Sequence, residues 1–295
     1  MRTLSENAAN ILKQRYLEPD ESIDHMFHRV AGGNRVFENM MADLEFLPNS
    51  PTLMNAGTAL EGKSTFSACF FFEVGDSMLD GEDSIIETGR KAAAVAKWGG
   101  GVGYNLGNLR HKLAQISSVH RVACGPVNVL RYYNTIGTHL ITQGGRRELA
   151  QMGILPVRHK DVQEFIHVKD TDPQSLRTFN ISVSTPDEFM NKIHEEGEEK
   201  DLWREITESA WKTGDPGLYF CDTAERANPT PHLGKLTGTN PCLTGDTNVY
   251  VADGRTSVTI KQLADEGRDV PVFCLDEHEQ VPVRMMRHPR LTGVQ

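Results

Sequence analysis

No run of apolar residues in this 295-residue sequence approaches the roughly 18–20 needed to cross a bilayer. The N-terminus, MRTLSENAANILKQRYLEPDE, is charged throughout and lacks the apolar stretch of a secretory signal. The five cysteines (Cys69, Cys124, Cys221, Cys242, Cys274) are far apart and none forms a C-x-x-C pair. That spacing excludes a zinc knuckle and a thioredoxin-type motif, and no metal site is expected. An odd count without an export signal predicts reduced thiols in the cytoplasm. A formal charge of −9 excludes a general affinity for nucleic acid or anionic membrane. With 38% hydrophobic and 24% charged residues and a mean hydropathy of −0.42, the balance is that of a water-soluble globular protein.

Acidic residues are also missing from one long stretch. Between Glu87 and Glu148 there are none, while Arg90, Lys91, Lys97, Arg110, Lys112, Arg121, Arg131, Arg146 and Arg147 supply nine positive charges. A buried core would deplete cations as well as anions. The pattern therefore predicts a pocket for phosphate-bearing ligands, since clustered cations and glycine amides both suit phosphate oxygens.

Residues from Leu4 to about Met41 have helical periodicity, with apolar stripes at Ile11, Leu12 and Tyr16, then Met26, Phe27 and Val30. The turn-rich stretch FLPNSPTLMNAGTALEGKSTF follows. SACFFFEV reads as a short buried strand, and Ser84 to Trp98 as a helix packed through Ile85, Ile86, Ala93, Val95 and Ala96. Cys124 to Leu140 and Val162 to Val168 are further helices; MGILPV and TFNISVS are buried strands. Strands alternating with helices predict an α/β domain with a parallel sheet. After Cys242 the texture changes. Asn248 to Ala252 and Arg255 to Ile260 alternate as strands around Asp253-Gly254, a hairpin signal, and Val270 to Leu275 with Val281 to Met285 predict a second hairpin.

The run Trp98-Gly99-Gly100-Gly101-Val102-Gly103-Tyr104-Asn105-Leu106-Gly107 is not a dinucleotide loop. A helix precedes it, a strand follows, and no acid occurs about 20 residues on. Its glycines serve either a close backbone approach to a ligand or a tight helix-to-strand connection. Gly144-Gly145-Arg146-Arg147 is either a phosphate-reading loop or a solvated turn. Cys124 and Cys221 are expected to be packing residues, and Asp222 and Glu225 a solvated helix face.

Taken in order, NSPTLMNAGT, STFSACFFFEVGDSM, KWGGGVGYNLGNLR, ACGPVNVLRYY, QGGRRELAQMGIL, EFIHVKD, FNISVSTPDEFM and DPGLYFCDTAERANPTPHLGKLTGTNPC resemble the catalytic subunit of ribonucleotide reductase, most closely the adenosylcobalamin-dependent class. The resemblance implies a helical N-terminal region (1–48) and the first half of a ten-stranded α/β barrel (49–241). It implies that Cys69 is one member of the redox-active pair. Ser50, Ala68, Cys69 and Gly101 would bind the substrate nucleotide, partly through backbone atoms, and Asn240 would hydrogen-bond the ribose. Asp76 and Gly144, Gly145, Arg146 and Arg147 fall where the family reads allosteric nucleotides, although this chain has GGRRELA where the family often has GGRRRGA. Implied with these are adenosylcobalamin, a ribonucleoside di- or triphosphate substrate, deoxynucleotide or ATP effectors, a thioredoxin-like reductant and a homodimer.

The family continues Asn-Pro-Cys-Gly-Glu, whereas this chain reads Asn240-Pro241-Cys242-Leu243-Thr244-Gly245-Asp246. CLTGDTNVYVADGRTSVTIKQLADEG resembles the first block of an intein, an insert with an all-β Hint fold. Residues 242–295 would then be its N-terminal fragment, with Cys242 as splicing nucleophile at the position of the radical cysteine. No Thr-x-x-His spacing occurs between Cys242 and Gln295, so that assisting block is expected downstream, with the rest of intein and reductase. The fragment is expected to be inactive until completed and spliced. The alternatives are a nucleotide-binding module with a β-rich regulatory tail, and a reductase subunit served by a diiron partner.

Overall fold

The structure, a computed structural model, describes residues 4, 6–59, 62–140, 149–171, 176–240, 248–255, 257–259, 262–263, 266, 270–273 and 283–286. It divides into two compact units, Ser50–Pro241 and Met1–Asn49 with Cys242–Gln295.

The helical periodicity near the N-terminus resolves into α1 (Glu6–Arg15), α2 (Ile23–Val30) and α3 (Arg35–Ala42). The Ser22 hydroxyl caps α2 by accepting from the His25 N–H at 3.2 Å, and Asn34 caps α3 by accepting from Val36 N–H at 2.9 Å. Leu12, Met26, Phe27 and Met41 are buried. Arg29, in the last turn of α2, grips Glu21 ahead of the helix through two hydrogen bonds of 2.7 and 3.0 Å. Those bonds hold the Glu21 carboxyl below the usual glutamate range, against the opposing effect of burial.

In the larger unit, the stretch expected to be all turns contains a short helix, α4 (Ser50–Asn55). Pro51 is tolerated in its first turn, where the missing N–H has no intrahelical partner to lose. Five parallel strands follow, paired in chain order: β1 (Cys69–Glu73), β2 (Gly101–Asn105), β5 (Gln151–Pro156), β6 (Phe179–Ser184) and β7 (Gly217–Tyr219). A small antiparallel pair, β3 (Gln115–Ile116) and β4 (Arg121–Val122), interrupts the connection from β2 to β5. The crossovers carry α5 (Ile85–Lys97), α6 (Pro126–Thr135) with a π-helical turn (Ile136–Leu140), α7 (Val162–Ile166), α8 (Val168–Thr171), α9 (Asp187–Lys192) and α10 (Glu198–Thr213). After β7 come α11 (Cys221–Arg226) and a 3₁₀ turn (Pro231–Leu233). Ser84, fully buried, caps α5.

The helix-facing side of the sheet carries the main core. Val102, Tyr104, Leu155, Ile181 and Val183 pack against Ala92, Ala96, Leu130, Phe165, Ile166 and Ile206 from the helices. Parallel strands need such cover because both faces are otherwise apolar. Tyr104 stacks on Tyr133 (centroids 4.6 Å apart, planes at 16°), and its hydroxyl donates to the buried Gln151 Oε1 at 2.7 Å. Gln151 Nε2 in turn donates to Thr178 Oγ1 at 2.8 Å, tying β2, β5 and the entry to β6 together. β1 departs from expectation: it is half-buried rather than buried, because it is the edge strand of this sheet.

In the smaller unit both expected hairpins are present. β8 (Asn248–Tyr250) pairs antiparallel with β9 (Ser257–Thr259), and β10 (Val270–Phe273) with β11 (Val283–Met286). Gly254, at φ +98°, takes the left-handed turn position that a side chain would strain. Val251, Val258, Leu263 and Val270 form a separate buried cluster. Among the described residues, no strand after Asn240 joins the five-stranded sheet.

Candidate active site

Side chains alternate along a strand, so Cys69, Phe71 and Glu73 of β1 share the face opposite the helices with Gly101, Gly103 and Asn105 of β2. Met152, Ile154 and Tyr219 continue this inner face, with Phe71, Cys221 and Ala224 packed against them. At its edge the backbones of Cys69 and Gly101 are paired, and the Gly101 N–H donates to the Ala68 carbonyl at 2.7 Å.

The segment Leu236–Asn240 lies across this inner face. Tyr219 donates its hydroxyl to the Leu236 carbonyl at 2.9 Å, and the Leu236 N–H donates to Glu225 Oε2 at 2.8 Å. Burial first, then the acidic groups of Cys221 and Glu225 beside it, pushes the Tyr219 phenol up, so it remains a donor. Thr237 donates to Glu73, and Asn240 Nδ2 donates to the Phe70 carbonyl at 3.3 Å. The glycines make this approach possible. A Cβ on Gly103 would stand 2.5 Å from the Thr239 oxygen, and one on Gly238 would enter the Phe71 ring. A Cβ on Gly101 would touch the Asn240 amide at 3.5 Å and crowd the Ala150 carbonyl at 3.2 Å.

The N-terminal ends of β1 and β2 thus bring together Ala68, Cys69, Gly101 and Asn240, residues distant in sequence. Cys69 is an exposed thiol and Asn240 is buried. Ser50 opens α4, which is fastened nearby: Thr52 donates to the Phe66 carbonyl and Asn55 to that of Thr65, each at 2.9 Å. Asp76 does not join them. It lies beyond the other end of β1, where Arg110 engages it through its backbone N–H at 3.0 Å and its Nε at 2.6 Å. Gly144, Gly145, Arg146, Arg147 and Cys242 lie outside the described residues.

Of the two purposes read from the glycine run, the tight helix-to-strand connection is the one seen. Gly99, at φ +83°, ends α5 in the left-handed conformation, while Gly101 and Gly103 admit the chain's own segment. Among its described residues the acid-free stretch does not gather into one cationic pocket: Arg90 pairs with Glu87, Arg110 with Asp76 and Lys112 with Glu164. Cys124 is exposed rather than packed. Asp222 and Glu225 are not a solvated face. Asp222 accepts from the Asp187 N–H at 2.8 Å, and Glu225 holds Leu236. The anchors Glu73, Thr237, Tyr219 and Glu225 escaped sequence reasoning; the signal available was a lone carboxylate ending an apolar strand on the same alternation as Cys69.

The described residues do not form a cradle for a corrin. None of their buried side-chain nitrogens or oxygens lacks a hydrogen-bond partner. Surface grooves of about 560 and 550 Å³ are lined by charged side chains, including Arg131, Glu164 and Glu205 in one and Glu82, Arg90 and Lys91 in the other. Neither touches Cys69 or Asn240.

Residues 67–200 and 194–244 match the family described as "Ribonucleotide reductase, barrel domain", and residues 2–61 match "Ribonucleotide reductase, all-alpha domain". The chain is similar to a vitamin B12-dependent ribonucleoside-diphosphate reductase of Thermoplasma acidophilum, 38% identical over 250 residues that cover 79% of this chain and 32% of that protein. A protein of the same description from Mycobacterium tuberculosis (strain H37Rv) is 33% identical over 321 residues, covering 96% of this chain and 44% of the relative. Among solved structures, the alpha subunit of the class Id ribonucleotide reductase of Actinobacillus ureae superposes with a TM-score of 0.69 at 21% identity, over 83% of this chain and 46% of that one. The chain therefore spans less than half of the length of each of these proteins.

Proposed function

Since the chain belongs to the ribonucleotide reductase large-subunit family, we propose that it contributes the first half of the catalytic barrel to an enzyme that makes deoxyribonucleotides from ribonucleotides. The observation carrying this reading is the convergence of Cys69, Gly101 and Asn240 at one edge of the inner face. In the overall reaction the ribose 2′-hydroxyl is replaced by hydrogen. Two thiols lose two electrons and two protons, giving one disulfide and one water. Cys69 is one of those thiols, and its exposure lets a second cysteine and an external dithiol reach it. Asn240, fixed by the Phe70 carbonyl, keeps its amide oxygen for a ribose hydroxyl. Gly101, whose N–H donates to the Ala68 carbonyl, lets Asn240 come close at this end, and Ser50 and Ala68 belong to the same proposed nucleotide site.

The radical source of the assembled enzyme is adenosylcobalamin, in keeping with relatives described as vitamin B12-dependent. The described residues do not cradle it, and what they supply is the reducing thiol of Cys69 and the amide of Asn240. Substrate as ribonucleoside di- or triphosphate, nucleotide effectors near Asp76 and residues 144–147, a thioredoxin-like reductant and a dimeric assembly belong to this proposal. So does a cytoplasmic location.

Residues 242–295 are the N-terminal fragment of an intein. Support comes from the division between Pro241 and Cys242, from two antiparallel hairpins apart from the parallel sheet, and from a barrel-family match that stops at residue 244. In its first step the Cys242 sulfur attacks the Pro241 carbonyl, exchanging the amide for a thioester and freeing the Cys242 amine. A competing reading, in which the tail is reductase sequence, is favoured by the Mycobacterium match over 96% of the chain. Co-expression with the downstream gene segment decides between them. Ligated reductase lacking residues 242–295, with nucleotide reduction dependent on adenosylcobalamin, is expected. An unspliced product that retains the tail would overturn the intein reading, and a spliced product without turnover would overturn the enzymatic one.

A further inference from the structure

Glu73 closes β1 on the face that carries Cys69 and Phe71. Its carboxylate accepts from Asn105 Nδ2 at 2.8 Å, from Asn108 Nδ2 at 3.3 Å and from the Thr237 hydroxyl. The amide of Asn105 has a defined orientation, because its Oδ1 accepts the Gly107 N–H at 2.9 Å and leaves Nδ2 toward Glu73. A carboxylate has room for about four such donors, so these three can be held at once.

Thr237 opens the run that ends at Asn240, and Glu73 is the group on β1 that holds it. From there Gly238 lies on the Phe71 ring and Thr239 over Gly103. A slip of one residue would bring a threonine where Gly238 sits, and a Cβ there would enter the Phe71 ring. Tyr219 and Glu225 hold the Leu236 backbone but do not select which side chain meets β1. The Thr237–Glu73 bond, across 164 residues of sequence, makes that selection at one end of the segment, and the Asn240–Phe70 bond follows at the other.

We infer that Glu73 is a positioning residue: by binding Thr237 it sets how the extended segment Thr237–Asn240 is placed on the inner face, and so where Asn240 meets Gly101 and Cys69. The inference rests on reading Asn240 as the ribose contact. Glu73 itself touches no reacting atom.

Two measurements test it, and they fail independently. In the 295-residue chain, hydrogen exchange of the peptide spanning 236–240 should rise about tenfold or more in Thr237→Val and in Glu73→Gln, with β5 and β6 unchanged. In the reductase assembled from this chain and its downstream half, both substitutions should lower kcat by about 10- to 100-fold and leave nucleotide KM within about twofold. Thr237→Ser, which keeps the hydroxyl, should recover most of the loss, and the double variant should be no worse than the poorer single one. Thr237→Val removes one exposed hydroxyl and keeps the residue's shape, so it remains informative if Glu73→Gln fails to fold. Unchanged exchange, a Thr237→Ser as poor as Thr237→Val, or additive losses in the double variant would each overturn the inference. An assembled wild-type protein that binds but never reduces nucleotides would overturn the functional reading, while the exchange result still decides how the segment is placed.

Discussion

Gly103 and Thr239 meet backbone to backbone, so closely that a Cβ on Gly103 would lie 2.5 Å from the Thr239 oxygen. Gly103→Ala must therefore displace the 236–240 segment or strain β2, at a cost of about 1–3 kcal/mol. Urea unfolding should show a lower midpoint at an unchanged slope, and hydrogen exchange at 236–240 should quicken. A stability equal to wild type would mean the segment does not rest on β2.

Tyr104 and Gln151 form a second contact with a definite expectation. Tyr104→Phe keeps the stacking on Tyr133 but leaves the buried Gln151 Oε1 without its donor. The loss should be about 1–3 kcal/mol, the cost of an unsatisfied buried acceptor. Replacing both residues, Tyr104→Phe with Gln151→Leu, should be less destabilising than adding the two single effects, as measured by a double-mutant cycle.

The Glu21–Arg29 pair links stability to pH in the N-terminal helices. Hydrogen bonds from Arg29 lower the Glu21 carboxyl from the ordinary 4.5. A group whose folded value is lowered contributes its stability above the unfolded value and loses it as pH falls through the folded one. The stability gap between wild type and Glu21→Gln should therefore be constant near neutrality and close as the solution is acidified below about pH 4.5. Thermal unfolding across that range measures it; a gap that widens on acidification would contradict the assignment.

Much of this was legible from residue pattern because it is local. The glycine that ends α5, the Asp253-Gly254 hairpin and the alternation of strands with helices all depend on near neighbours. The grouping of Cys69, Gly101 and Asn240 followed from family resemblance, since no periodicity relates residues so far apart. The mount of the 236–240 segment was not legible. Glu73 and Thr237 each resemble an ordinary surface residue until the fold closes 164 positions of chain between them. Glu225 was misread for the same reason: helical spacing marks a face, and only the tertiary path of Leu236 shows what that face holds. Arg110 and Lys112 misled in the opposite sense, because their partners Asp76 and Glu164 lie outside the acid-free stretch.

The central claim is that Cys69 supplies reducing electrons to a nucleotide bound at the β1–β2 edge. Its most direct test is Cys69→Ser in the assembled reductase, with dithiol-driven deoxynucleotide formation and nucleotide affinity measured on the same preparation. Turnover should collapse while nucleotide Kd stays within about twofold, since serine fills the same space but cannot form a disulfide. Sustained dithiol-driven turnover by Cys69→Ser would remove this residue from the chemistry and contradict the account.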